Sequence, residues 1–148
     1  MKGPESIVID YSLNEPPADV WRALTEPKLL AQWLMENDIR PIVGHKFNFR
    51  ARPMGDWDGI VYCEVLEVNE PHKLVYTWQG GSDEDSKRLD TTVTWTLSPT
   101  PTGGTLLNLA HRGFQPDDYA FQIMGQGWRN MVTAEKITRI LAGASATI

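Results

Sequence analysis

Hydrophobic and polar positions alternate most strictly between residues 91 and 111. Val93, Trp95 and Leu97 fall on one face of an extended segment, and Leu107, Leu109 and His111 fall on one face of the next. Thr92, Thr94 and Thr96 take the opposite face of the first, and Leu106, Asn108 and Ala110 that of the second. The run Pro99-Thr100-Pro101-Thr102-Gly103-Gly104 between them predicts a hairpin. Its large apolar face needs a cover, and a helical pattern from Pro116 to about Ala142 follows at once. A curved sheet closed by a C-terminal helix is a container.

The rest of the pattern extends this picture. Ile7–Leu13 predicts a short strand with Ile7, Ile9 and Tyr11 on one face. Asn14-Glu15-Pro16-Pro17 reads as a helix start, with a capping residue and prolines in the first turn. That helix runs to about Thr25 with Val20, Trp21 and Leu24 as its stripe; Pro27 interrupts it, and a second short helix carries Leu29, Leu30 and Trp33. Strands are predicted over His45–Arg52, Gly59–Val68 and Lys73–Trp78, and Gly80–Lys87 is a polar connection into the hairpin. Along Gly59–Val68 two inward sets compete. Either Ile60, Tyr62, Glu64, Leu66 and Val68 point inward, or Val61, Cys63, Val65 and Glu67 do, and a bulge near Gly59 would swap them. The order is one strand, two short helices, five strands and one long helix. Residues 1–148 are expected to form one α+β domain with a single antiparallel sheet.

Composition narrows the function classes. The net charge is −5 and no basic cluster occurs, which removes the electrostatic footprint of nucleic-acid binding. No apolar run approaches the length of a membrane span and no secretory leader is read, so a cytoplasmic protein without membrane insertion is expected. The lone Cys63 excludes an internal disulfide and fits a reducing compartment. Three His and one Cys show no metal-ligand spacing, and the acidic groups around Asp56 and Asp83 lack the length of a calcium loop. No metal and no cofactor is therefore expected. A Gly-rich phosphate loop, a nucleophile elbow and a Cys–His dyad are also missing, so no catalytic residue is assigned.

Several segments together resemble a known family. They are Pro17-Ala18-Asp19-Val20-Trp21-Arg22-Ala23-Leu24-Thr25 followed by Trp33, then Glu67-Val68-Asn69-Glu70-Pro71-His72-Lys73-Leu74-Val75-Tyr76-Thr77-Trp78. The hairpin ending Gly103-Gly104-Thr105, the stretch His111-Arg112-Gly113-Phe114, and Gly127-Trp128 complete the set. In order and spacing they resemble the bacterial proteins related to the activator of heat-shock protein 90 ATPase, within the START-like (SRPBCC) superfamily. The resemblance covers nearly the whole chain. It implies a helix-grip, Bet v 1-like fold: a curved antiparallel sheet wrapped around a long C-terminal helix, with an apolar cavity between them. It implies less about activity, because this fold hosts carriers, cyclases and chaperone partners alike.

Alternation then nominates the cavity wall. Phe47 and Phe49 share a face of one strand, Tyr76 and Trp78 of another, and Trp95, Leu107, Leu109 and His111 come from the hairpin. Met124, Trp128, Met131 and Val132 form a stripe on the expected helix. Each of these serves equally well as ordinary core packing. Two carboxylates break the apolar pattern, Glu64 on its ambiguous strand and Glu135 where the resemblance would place Leu. Glu135 is either a buried acid of raised pKa or a surface partner of Arg139. His111 is either a ligand or acid/base group or a satisfied structural histidine. Ile137, Ile140 and Leu141 either pack on the first helices or make a homodimer contact.

Three functions follow. The first is a module binding an apolar small molecule or lipid. The second is an enzyme of cyclase or hydrolase type using His111, Glu64 or Glu135, and the third is a co-chaperone-like interaction domain.

Overall fold

The computed structural model describes residues 5–50, 57–82, 88–114 and 136–141. Strand β1 (Glu5–Leu13) leads into helices α1 (Pro17–Thr25) and α2 (Pro27–Trp33). Strands β2 (Glu36–Asn37), β3 (Lys46–Arg50), β4 (Trp57–Asn69), β5 (Lys73–Ser82), β6 (Arg88–Pro99) and β7 (Thr105–Phe114) follow. All seven form one antiparallel sheet in the order β1-β7-β6-β5-β4-β3-β2, curled into a half-barrel. The first described strand pairs with the last, so segments about a hundred residues apart meet at one side of the sheet.

Local chemistry explains the helices. Pro16 is the N-cap of α1 and Pro17 its first residue, where a missing N–H costs nothing. Asn14 lies two residues too early to be that cap. Val20, Trp21, Ala23 and Leu24 are buried on one face of α1. Glu26 ends α1 in extended conformation and begins α2, so Pro27 separates the two helices as the sequence predicts. Trp33 Nε1 donates to Ala23 O at 2.9 Å, which fastens α2 to α1. Glu15 fastens two further elements: its carbonyl accepts from Thr105 Oγ1 at 2.7 Å and its carboxylate from Thr138 Oγ1 at 3.0 Å.

The sheet differs from expectation in three places. The two-residue strand β2 occupies a stretch read as loop, and it pairs with Phe49 and Arg50. Strand β5 continues to Ser82, into the segment read as a polar connection. Strand β4 carries two register shifts against β5, between Trp57 and Val61 and between Val65 and Glu67. Between them Val61, Cys63 and Val65 face the core; after the second shift Leu66 and Glu67 are both exposed and Val68 packs inward. Neither predicted set holds along the whole strand, because each extra residue reverses the alternation.

The core gathers on the concave side: Ile7, Tyr11 and Leu13 of β1, the apolar faces of α1 and α2, and the inward residues of β3 to β7. Residues 136–141 are helical, and Ile137 and Leu141 belong to that same core. The face offered for a subunit contact is thus used within the chain. Most of the helix expected from Pro116 to about Ala142 lies outside the described residues.

Candidate functional site

Strand register places the predicted wall residues on one surface. In an antiparallel ladder directly opposed residues share a face. Phe47 opposes Cys63, Phe49 opposes Val61, and Val65 opposes Tyr76. Tyr76 in turn opposes Val93, Trp78 opposes Thr91, and Leu74 opposes Trp95. Val93 opposes His111, Trp95 opposes Leu109, and Leu97 opposes Leu107. Phe47, Phe49, Tyr76, Trp78, Trp95, Leu107, Leu109 and His111 are all buried and all on this concave face.

Their rings form a continuous run across the half-barrel. Phe47 stands edge-on to Tyr76 at 5.3 Å, and Phe49 is tilted against Trp78 at 5.2 Å. Trp78 is edge-on to His111 at 5.4 Å, and Trp33 from α2 is edge-on to Trp95 at 5.9 Å. Such offset and perpendicular pairs are the favoured aromatic geometries.

Few polar atoms interrupt this surface. Trp95 Nε1 donates to Tyr76 Oη at 2.9 Å, so the Tyr76 hydroxyl is an acceptor there. Thr91 Oγ1 lies 2.7 Å from His111 Nε2 and donates to Trp78 O at 2.7 Å. Burial lowers the His111 pKa to about 3, which leaves the ring neutral at physiological pH. Burial likewise pushes the Cys63 thiol up, with Asp38 adding to the shift. It pushes the Tyr76 phenol up as well, against the opposing hydrogen bond from Trp95. Each of these groups is held in its uncharged form, so the face offers apolar area with a few neutral hydrogen-bonding atoms.

Glu64 does not belong to this surface. It opposes Lys46 on the outer face of the sheet, next to exposed Tyr62 and Leu66. Its backbone N–H binds Thr77 Oγ1 at 2.8 Å. Met124, Trp128, Met131, Val132 and Glu135 lie outside the described residues. Thr91 and Trp33 were not foreseen as part of the site. Thr91 could have been found, because it continues the 93, 95, 97 alternation by one step.

Among the described residues no group of His, Cys, Asp and Glu comes together to hold a metal ion. No described helix is long and apolar enough to cross a membrane.

Comparison with known proteins agrees with this architecture. The family model described as Activator of Hsp90 ATPase homolog 1-like protein matches residues 14–142. No curated protein matches the chain. The structure is similar to that of protein MLL2253 from Mesorhizobium loti, with 40% sequence identity and a TM-score of 0.80, over 93% of this chain and 97% of that one. It is similar to Bacillus halodurans protein BH1534 at 29% identity and a TM-score of 0.72, over 93% and 96% of the two chains. The Aha1 dimer from Colwellia psychrerythraea, at 16% identity and a TM-score of 0.69 over 84% and 88%, shares the fold.

Proposed function

This chain belongs to the Activator of Hsp90 ATPase homolog 1-like family, and on that premise we propose that it is a binding module holding an apolar small molecule or lipid inside the half-barrel. One observation carries the reading. The concave face presents Phe47, Phe49, Tyr76, Trp78 and Trp95 as a single aromatic surface whose titratable groups are uncharged. Binding sites for small molecules are mostly apolar and concave, with a few placed polar atoms. In this reading Leu107, Leu109 and His111 continue the wall, and Met124, Trp128, Met131 and Val132 supply the opposite side from the expected helix. No catalytic role is assigned to any of them.

Native mass spectrometry of the purified chain, with solvent extraction of anything bound, tests the proposal. A co-purifying apolar molecule, lost on Leu109→Trp, supports it and names the ligand class. A clean apo mass, with no change in melting temperature across a panel of lipids and aromatic polyketides, rejects it.

That second outcome would favour an interaction domain, for which one observation speaks. Ile42, Val43, Tyr62 and Leu66 are 58%, 62%, 48% and 46% exposed. The 42–45 turn is fastened beside β4 by Gly44 N to Val65 O at 2.8 Å and Val65 N to His45 O at 3.0 Å. Self-association is part of the same reading and is checked by mass in solution.

A further inference from the structure

Of the six large hydrophobic residues exposed among those described, four lie along one strip on the outer side of β3 and β4: Ile42, Val43, Tyr62 and Leu66. The aliphatic end of that strip is rigid. Residues Ile42 to His45 make a turn closed by His45 N to Ile42 O at 3.0 Å, with Gly44 at φ +89, where a side chain would be strained. Gly44 N to Val65 O and Val65 N to His45 O bind the turn to β4, next to Leu66. Side chains held out on a fixed backbone lose little freedom when they dock, and that favours a contact.

The polar residues within the strip decide what fits it. Lys46 on β3 directly opposes Glu64 on β4, and Asn48 opposes Tyr62. Opposed residues are neighbours across the ladder, yet neither Lys46 nor Glu64 has an ion-pair partner among the described residues. A cation and an anion thus stand side by side, with apolar side chains at both ends. A uniformly charged partner, such as an anionic lipid surface, would gain from one and lose on the other. A copy of the same strip gains from both, provided that a two-fold axis lies in the interface and runs between β3 and β4. That operation lays the β3 side of each protomer on the β4 side of its partner.

Resting on the interaction reading of this patch, and independent of whether the half-barrel holds a ligand, we propose that the chain pairs with a second copy of itself through the outer face of β3 and β4. Ile42 and Val43 pack on Leu66 of the partner subunit, Lys46 meets the partner subunit's Glu64, and Asn48 lies over the partner's Tyr62. Each contact occurs twice. The outer face is convex, which confines the interface to this strip. Specific interfaces begin at roughly 1,200 Å² in total, and a narrow strip falls toward that bound, so the pair is weak and depends on concentration.

Sedimentation equilibrium of the full chain tests this. The mass should rise from that of a monomer at about 1 µM toward that of a dimer at about 1 mM. Val43→Glu and Lys46→Glu should each weaken the dimer by about tenfold or more, the second by setting acid against acid. The exchange Lys46→Glu with Glu64→Lys should restore it, because the two-fold axis again pairs opposite charges. Monomers throughout overturn the proposal together with self-association, and leave the strip to a lipid surface or a foreign protein. A dimer indifferent to both single variants keeps self-association and overturns this face. Any other pattern, including a double variant that stays monomeric, overturns the two-fold pairing. Should a variant fail to fold, the amide chemical shifts of wild type at about 50 µM and about 1 mM decide the matter. Changes confined to residues 42–48 and 62–66 support the proposal, and changes elsewhere or none overturn it.

Discussion

Thr91 holds His111 in a single tautomer. The Thr91 hydroxyl has one hydrogen, and the Trp78 carbonyl, which can only accept, takes it at 2.7 Å. The 2.7 Å contact to His111 Nε2 must therefore be donated by the ring, which places the imidazole hydrogen on Nε2.

This arrangement gives a pH dependence of defined sign. The folded ring titrates at about 3 rather than the ordinary 6.5, so as pH falls the unfolded chain takes up the proton first. The contribution is complete above about pH 6.5 and is lost progressively down to about 3, at no more than about 1.4 kcal/mol per pH unit. His111→Gln keeps a donor for Thr91 and removes the titration. Urea unfolding at about pH 4.5, 5.5 and 6.5, roughly one-unit steps across this window, should show a shallower acid slope in the variant. Parallel slopes would assign the acid sensitivity to carboxylates instead.

Cys63 should be inert in the native protein. It is buried on the concave side of β4, and burial raises its pKa, so thiolate is scarce and sheltered. Alkylation by iodoacetamide followed by intact mass should show no adduct in buffer and one adduct in denaturing urea. Rapid labelling of the folded chain would contradict the placement of β4.

Gly103 and Gly104 separate two costs of adding a methyl group. Gly103 has φ +87 with open space around it, so Gly103→Ala meets backbone strain alone, about 1 kcal/mol. At Gly104 the added carbon would collide with the backbone carbonyl of Leu13, where the hairpin turn presses on the end of β1. Gly104→Ala should cost about 2–3 kcal/mol. Denaturant midpoints of the two variants check the order, and a reversed order would refute the turn's position against β1.

Glu64→Gln should leave ligand binding and stability unchanged, the latter within about 0.5 kcal/mol. The residue opposes Lys46 on the outer face, away from the aromatic wall. A variant that lost a co-purifying ligand would return Glu64 to the interior.

Alternation made the hairpin readable because each of its strands has one wet and one dry face. From that rule alone Trp95, Leu109 and His111 could be oriented, and each is buried as expected. The same rule failed for β4, where two register shifts reset the count and left Glu64 unresolved until Lys46 was seen opposite it. Strand β2 was invisible because two residues carry no period. The Tyr76 hydroxyl was equally hidden: its side chain could be oriented from sequence, but its pairing with Trp95 depends on rotamers nineteen residues apart in the chain.

Among the described strands, β1 pairs with β7 alone. Asp10 Oδ1 accepts from Asn108 Nδ2 across 98 residues of sequence. Strands β2 to β7 can zip up in order, each against the one just made, whereas β1 must wait for the last of them. During synthesis β1 leaves the ribosome before the other strands of the sheet and is the last of them to find its partner. Its apolar residues Ile7, Ile9 and Tyr11 must stay out of wrong pairings until residue 114 has emerged. Shortening that wait by circular permutation, with β1 placed after β7, would convert the slowest contact of this chain into a local hairpin.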